Sequence, residues 1–491
     1  MDSSPEQRSA PVPASAVAGG VPGDAGPDHG APLVVPVGTG LTVPCIDGVE
    51  RTAVELDQAA STQALPQVAQ RVADFLPWYS SVHRGAGYRS RRATAAYEET
   101  RRAVLRFAGR DPDGDDVAIL CRNATEAINH LAFRLRLAPG SVVVTTEVEH
   151  HANLLPWGRV AERRYVRCTT EGTFGLDDVV AALDALPAPS LLAITAASNV
   201  TGWVPPVDAI IAAAHDRGVP VAVDAAQLAP HRPLPTMADF LSFSGHKLHA
   251  PFGAGALIGP RSAFEDGEPF LAGGGAVDLV GLDEVVWTAP PDREEAGSPN
   301  VVGAVALHAA VEAIGAIGWD AVRSHEDALA RRLRHGLASI DGVRLLGPPV
   351  SDPGIDTLAV AAFTVGDLHH ALVAARLSAE YGIAVRHGCF CAHPYLIRLL
   401  GLGAAEVEAF RGQVLHGDHR TMPGAVRASA GLGTSTGEVD TLLAAVAELA
   451  GGRPSPVPYH QDRGTGDFFP ETDRPEWSGA VDEPGAACAQ G

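Results

Sequence analysis

Five short apolar runs, separated by segments of helical character, limit this chain to a layered α/β architecture. Each run is rich in Val, Leu or Phe along both faces, which is typical of strands that helices cover on both sides. Helical patterns lie between several of them, including TEAINHLAFRLRLA (125–138), with Thr125 as its N-cap, and VDAIIAAAHDRG (207–218). This alternation predicts a mostly parallel sheet. The runs are SVVVTT (141–146), LLAIT (191–195), VPVAVD (219–224), DFLSFS (239–244) and GALIG (255–259).

A second, smaller domain is predicted to follow. The pattern SHEDALARRLRHGLASI (324–340), with Ser324 as its cap, indicates a long helix that links the two domains. After it, TLAVAAFTV (357–365) reads as a strand, DLHHALVAARLSAEYG (367–382) as a helix and STGEVDTLLAAVAELA (435–450) as the closing helix. Residues 399–423 fit neither pattern and are predicted to be an inserted loop.

The two ends of the chain differ from its centre in composition. Residues 1–31 and 451–491 are dominated by small and polar residues, which predicts disordered tails, although Phe468, Phe469 and Trp477 leave room for the second tail to dock. The expected organisation is therefore a tail at 1–31, a large domain at 32–320, a small domain at 321–450 and a tail at 451–491.

The overall charge excludes two classes of partner. The chain has 491 residues and a formal net charge of -21, so no positive field is available for nucleic acid or an anionic membrane. No apolar run approaches the ~20 residues of a membrane span. Six scattered cysteines are too few for a disulfide framework. We therefore expect a cytoplasmic protein.

Polar side chains follow the predicted strands, where ligands collect in open α/β sheets. Lys247 lies between small residues and is expected to be buried. A buried ammonium costs free energy unless it is paired or neutralised, so this position indicates a chemical role. With Asp224 it meets the needs of pyridoxal 5'-phosphate (PLP), whose aldehyde requires an amine and whose ring nitrogen requires an acid. RNATEAIN (122–129) supplies a helix start for the phosphate. The strand-end residues are His150, His151, Ser198, Asn199, Asp224, Gln227, Ser244, His246 and Lys247.

Several motifs, in order, resemble one enzyme family. SNVTG, VDAAQ, FSGHKL, EAGSPN, YGIAVRHGCFCAHP and VRASAG are similar to the class V aminotransferases among the fold-type-I PLP enzymes, most of all to cysteine desulfurases of the SufS-like branch. The resemblance runs from LDQAAST (56–62) to VDTLLAAV (439–446). It implies a large domain with a mostly parallel seven-stranded sheet, a smaller α+β C-terminal domain, a homodimer and a small amino acid as substrate.

The resemblance also implies roles for the residues that hold the coenzyme. Lys247 would form the Schiff base and move the substrate Cα proton, while Asp224 pairs with the pyridinium nitrogen. Gln227 would bind the phenolic oxygen and His150 would stack on the ring. The phosphate would be held by Ala124, Thr125, Ser244 and His246, and by Ser298 from the neighbouring subunit. Ala124 and Asn123 depart from the threonine and glycine common in the family.

For the substrate, the resemblance assigns Arg427 and Arg386 to the carboxylate and Asn199 to the same side of the site. The family pattern R-x-G-x-x-C-A-x-P places the nucleophilic cysteine at Cys391. Cys389 departs from the common pattern of this branch, and the motif RxGCFC is also similar to that of the molybdenum-cofactor sulfurases. The resemblance implies a sulfur acceptor such as a protein, but the identity of the acceptor is left open, as is the choice between Cys389 and Cys391.

Other interpretations compete with this one. Asp224 alone could be a helix cap, Cys391 could be a packing residue, and C-F-C-A-H could be part of a zinc site, although no fourth ligand is evident and no metal is expected. The chain could also be a class V aminotransferase, lyase or epimerase acting on another amino acid. A non-catalytic scaffold is disfavoured because Lys247 and Asp224 are both present.

Overall fold

The computed structural model describes residues 30–352, 354–474 and 477. Nearly all of the predicted N-terminal tail therefore lies outside the described residues. The α-helices are, in chain order, α1 (Pro66–Phe75), α2 (Tyr88–Phe107), α3 (Ala124–Arg134), α4 (Leu176–Asp184), α5 (Val207–His215), α6 (Val301–Ile317), α7 (Trp319–Ala338), α8 (His370–Tyr381), α9 (His393–Leu400), α10 (Ala404–Leu415) and α11 (Thr436–Ala450).

The strands form two larger sheets and several short pairs. They are β1 (Thr42–Pro44), β2 (Glu50–Thr52), β3 (Val54–Glu55), β4 (Asp116–Cys121), β5 (Val142–Thr146), β6 (Glu162–Val166), β7 (Leu191–Thr195), β8 (Val221–Asp224), β9 (Phe240–Ser244), β10 (Gly255–Pro260), β11 (Val277–Val280), β12 (Val285–Trp287), β13 (Val343–Leu346), β14 (Val360–Val365), β15 (Ile383–Ala384), β16 (Arg386–Gly388), β17 (Ala425–Ser429), β18 (Tyr459–Gln461) and β19 (Phe468–Pro470).

The large sheet has seven strands in the order β4-β10-β9-β8-β7-β5-β6. Only β10 runs against its neighbours, and the other pairings are parallel. Every residue of β5, β7, β8 and β9 is buried, because helices cover both faces of the sheet. The predicted fold class and all five strand predictions are confirmed.

The smaller sheet is antiparallel, in the order β13-β14-β17-β16, and packs against α7, α8 and α11. The chain before the large domain also contributes here, because β3 pairs in parallel with β15. This pairing brings the N-terminal segment against the edge of the active-site cavity described below.

Three local predictions are wrong. The long helix begins at Trp319, so Ser324 is not its cap, and the cap of α3 is Asn123, whose side chain accepts the N–H of Glu126, not Thr125. Residues 399–423 are not simply a loop, since they contain α10, a helix without a single buried residue. Val407, Phe410 and Val414 are at helical spacing but only half-buried, and the sequence interpretation did not use this pattern.

The predicted disordered tail from residue 451 does not hold for residues 452–474. Here β18 and β19 form a hairpin that packs against α8. Gln461 Nε2 donates to the Arg420 carbonyl at 2.9 Å, and the His419 N–H donates to Arg463 O at 2.9 Å, so the hairpin also holds the segment that follows α10.

No single described helix is long and apolar enough to cross a bilayer. Helices α6 and α7 reach that length and composition only as a pair, across an 83° bend.

Candidate active site

The carboxyl ends of the large sheet's central strands open into one cavity of about 260 Å³. Neighbouring strands end in register there, with Thr195 beside Asp224 and Asp224 beside Ser242. Twelve of the thirteen site residues expected from the sequence line this cavity, and Ser298 alone is outside it, on an exposed loop. The twelve are Ala124, Thr125, His150, Asn199, Asp224, Gln227, Ser244, His246, Lys247, Arg386, Cys391 and Arg427.

Lys247 and Asp224 face the cavity from adjacent strand ends. Lys247 ends a short 3-10 turn after β9, and this turn needs Gly245, because a Cβ there would lie 2.7 Å from the carbonyl oxygen of Ala254. Asp224 is the last residue of β8, and its Oδ1 accepts the N–H of Ala226 at 2.9 Å. Among the ion pairs of the described residues none joins the two side chains, so both remain available to a molecule between them.

Burial changes the protonation of both groups. It lowers the pKa of Lys247 to about 8, although the nearby Asp224 opposes this change, and it raises the pKa of Asp224. Lys247 is also the only lysine in the 491 residues, against 36 arginines, a fact that the sequence interpretation missed. A poised amine in a cavity is typical of a reactive lysine.

The start of α3 forms one end of the cavity. The Ala124 N–H donates to the Ser244 hydroxyl at 2.8 Å, and Thr125 is the second residue of the helix. Free N–H groups at a helix start favour an anion. The Ala124 N–H is bonded to Ser244 and the Glu126 N–H to the Asn123 side chain, so a phosphate at this position would bind mainly to Thr125 and to the hydroxyl of Ser244.

His150 is neutral and fixed in one tautomer. Its Nδ1 accepts the N–H of Ala152 at 3.0 Å, which leaves the hydrogen on Nε2. Burial, followed by the charge of Lys247, lowers the pKa of His150 to about 4. A neutral ring at this position can stack on an aromatic ligand without adding a charge. Gln227 lies nearby and donates from Nε2 to the Ala59 carbonyl at 2.8 Å.

Glu149 is a buried acid that sequence interpretation overlooked, although it directly precedes His150. Its carboxyl accepts from the Thr146 hydroxyl at 2.7 Å, Asn153 Nδ2 at 2.7 Å and the Thr195 N–H at 3.0 Å. Burial raises its pKa to about 8. These bonds join the segment of His150 to the end of β7.

Cys391 lies on a loop between β16 and α9 and is exposed at the cavity wall. Both Phe390 and Cys391 have φ of 54°, a left-handed conformation that costs energy for residues with a side chain. The large domain holds this conformation: the Cys391 carbonyl accepts the His151 N–H at 2.7 Å, and the Phe390 carbonyl accepts Asn199 Nδ2 at 2.7 Å.

Cys389 differs from Cys391 in its surroundings. It is half-buried and packs against the apolar core of the large domain, and burial raises its pKa. A thiol in such surroundings is a poor nucleophile. Within the described residues, three metal-ligand atoms lie within 4.8 Å of one another at His83, Glu98 and Asp292, a group that does not include the residues of C-F-C-A-H.

The far end of the cavity carries two guanidinium groups. Arg427 is buried and donates from Nη1 to the Asn199 carbonyl at 2.8 Å and from Nη2 to Asp57 Oδ1 at 2.9 Å. The exposed Arg386 donates from Nε to Asp57 Oδ2 at 2.9 Å. Arg427 Nε is buried without a partner among the described residues. This arrangement can bind a carboxylate.

Known proteins share this architecture. The family model for aminotransferase class V matches residues 54–442. A probable cysteine desulfurase of Halobacterium salinarum is 36% identical, with 80% of this chain and 91% of the relative aligned, and a cysteine desulfurase of Dickeya dadantii is 38% identical, with 70% and 84% aligned. The apo structure of a cysteine desulfurase from Thermococcus onnurineus NA1 matches with a TM-score of 0.72 and 32% identity, covering 82% of this chain and 95% of that one.

Proposed function

The chain belongs to the aminotransferase class V family, and we propose that it is a PLP-dependent cysteine desulfurase that carries sulfur on Cys391. The observation that supports this most is the position of an exposed thiol on the wall of the cavity that also contains Lys247 and Asp224. Relatives that carry the name cysteine desulfurase align over most of both chains.

The donor set of the cavity fits the coenzyme. Lys247 would hold its aldehyde carbon, Asp224 its ring nitrogen, Gln227 its phenolic oxygen and His150 one ring face. When bound, PLP supplies an electron sink that weakens the bonds at the substrate's Cα and Cβ. The phosphate would lie against Ala124 at the start of α3 and would be held by Thr125, Ser244 and His246.

The chain's own groups supply the remaining steps. Arg427 and Arg386 bind the substrate carboxylate, with Asn199 beside them. Lys247 moves the proton at Cα, because its lowered pKa of about 8 leaves about half of the amine neutral at that pH. The Cys391 thiolate attacks the substrate sulfur, the Cβ–S bond breaks, and Cβ gains a proton. The products are alanine and a persulfide on Cys391.

The proposal includes a homodimer in which Ser298 reaches the phosphate of the neighbouring subunit. Ser298 is exposed, and the nearby β11–β12 hairpin presents Leu279, Val280 and Leu282 to solvent. Contiguous apolar side chains of this kind are typical of a surface that another protein covers. The exposure of Cys391 also suits transfer of its sulfur to an acceptor protein.

Mass spectrometry of the protein after incubation with L-cysteine tests the proposal. We expect alanine release and a gain of ~32 Da on the peptide that contains Cys391, because a persulfide adds one sulfur atom. Cys389→Ser should keep both signals, and Cys391→Ala should lose both. Turnover by Cys391→Ala, or release of a keto acid instead of alanine, would favour an aminotransferase, lyase or epimerase.

A further inference from the structure

The turn that carries Lys247 is held from outside by Thr62. The Thr62 N–H and hydroxyl both donate to the carbonyl of His246, directly before the lysine, at 2.9 and 3.1 Å. The same hydroxyl oxygen accepts the N–H of His249, two residues after the lysine, at 2.7 Å. One hydroxyl group therefore bridges the backbone on both sides of Lys247.

The backbone beyond Lys247 needs such support. His249 has a φ of 59°, a left-handed conformation that costs energy for a residue with a side chain and persists only where surrounding contacts hold it. Its ring makes a further contact, since Nδ1 donates to the carbonyl of Gln63 at 2.8 Å. Thr62 and His249 are 6% and 1% exposed, so bulk water does not replace a hydrogen bond that is lost here. Residues 62 and 63 therefore hold the strained end of the lysine turn.

A threonine can make both backbone bonds at once. A hydroxyl group donates one hydrogen and accepts through its lone pairs, whereas the methyl group that replaces it in valine does neither. Ala59 and Ala60 of the same segment line the cavity, but Thr62 is not among the described residues that do so. Any effect of Thr62 on a ligand must therefore pass through the backbone of the lysine turn.

The position of this turn determines the state of the amine. Burial lowers the pKa of Lys247 to about 8 and outweighs the opposing charge of Asp224. A looser turn would bring the amine nearer to water and raise its pKa toward the ordinary value of 10.5. The bonds of Thr62 are therefore linked to the reactivity of the lysine as well as to the stability of the fold.

We infer that Thr62 is a positioning residue, which fixes the backbone on both sides of Lys247 and so keeps the lysine amine desolvated in the cavity. The inference rests on the proposed function for the use that this amine serves, but the state of the amine can be measured without turnover. It adds to the site a residue that acts on the reacting amine without lining the cavity.

Amine labelling of the coenzyme-free, full-length protein tests the inference, because Lys247 is the only lysine in the chain. Acetic anhydride modifies the neutral amine, and mass spectrometry of the peptide that contains Lys247 gives the labelling rate at each pH. Thr62→Val should raise the midpoint of this pH profile by about one unit, so the rate at pH 7, relative to its plateau at high pH, should fall about tenfold. Thr62→Ser, which keeps the hydroxyl, should retain the wild-type midpoint.

A purely structural role for Thr62 predicts a different result. Thr62→Val would then lower the Tm and leave the midpoint of labelling unchanged, which would overturn the inference. Thr100→Val is the matched control, because Thr100 is also buried and its hydroxyl donates to the backbone carbonyls of Ala96 and Ala304 at 2.9 and 3.2 Å. This control should lower the Tm and keep the wild-type midpoint, and an equal shift of its midpoint would also overturn the inference.

A second variant covers the case in which Thr62→Val does not fold. Thr62→Ala leaves room for water beside the two backbone groups instead of placing a methyl group against them. Its midpoint should rise by at least about half a pH unit, and a wild-type midpoint would contradict the inference. If the wild type releases no alanine from L-cysteine but the midpoint shifts in these variants, the proposed function fails and the role of Thr62 stands.

Discussion

The coenzyme side and the thiol side of the cavity are built in opposite ways. Asp224 ends strand β8, Lys247 follows strand β9, both strands are buried along their whole length, and neither residue has a positive φ. Cys391 lies on an exposed loop with two consecutive left-handed residues that carry side chains. The first side is fixed by its own strands, whereas the second is held by hydrogen bonds from elsewhere.

This difference suits the proposed chemistry. The coenzyme needs partners at constant positions, because catalysis depends on groups that are already oriented. The thiol must reach the substrate sulfur and then present a persulfide to an acceptor, which requires an accessible loop. The strain at Phe390 and Cys391 persists because His151 and Asn199 of the large domain hold their carbonyl groups.

The largest expected effect is the loss of alanine release, and the two sides of the cavity differ in whether coenzyme attachment is lost with it. Lys247→Ala should reduce alanine release at least about a thousandfold, because it removes both the tether and the proton carrier. Borohydride reduction should then fix no coenzyme to a side chain, since the variant contains no lysine at all. Cys391→Ala should lose turnover to a similar extent but retain reducible coenzyme. Loss of coenzyme from both variants would contradict the division of roles.

A smaller effect is expected on the rate at which the coenzyme binds covalently to Lys247, which should depend on pH. Only the neutral amine attacks an aldehyde, and the pKa of about 8 places the change between pH 6 and 9. The rate of reconstitution of the apoprotein should rise about 50-fold from pH 6 to pH 8 and level off above that. A rate that continues to rise through pH 10 would indicate an ordinary lysine. Absorbance after rapid mixing with PLP measures this rate.

The two sides also differ in how far the sequence predicts them. Buried strands leave continuous apolar runs, so the residues that follow Thr195, Asp224 and Ser244 could be placed at one rim. Asp57 pairs with Arg427 across 370 positions of sequence, and no local pattern reports such a contact. The resemblance to a known family suggested roles for Arg427 and Cys391, but it did not indicate what holds these residues in place.

The peripheral elements were missed for a related physical reason. Helix α10 has no fully buried side chain, and its half-buried residues Val407, Phe410 and Val414 form only a short apolar pattern, which is a weak signal of a helix. The β18–β19 hairpin consists of three-residue strands, and contacts with α8 and with residues 419–420 stabilise it. For the hairpin, the composition of the predicted tail did not indicate order, because tertiary contacts decide it.

The smallest effect concerns the hydrogen bonds that hold the thiol loop. His151 Nε2 accepts the His393 N–H at 3.2 Å, and the two rings stack with centroids 5.0 Å apart. His151→Ala removes both contacts, worth about 1 kcal/mol, so the equilibrium constant for the active loop position should fall about fivefold and kcat should fall by at most that factor. Coenzyme absorbance should not change, because His151, unlike His150, does not line the cavity. His215→Ala, which removes an exposed histidine bonded to Asp239, is the control. A change in coenzyme binding by His151→Ala would show that the two sides are not independent, since the loop would then support the coenzyme as well as the thiol.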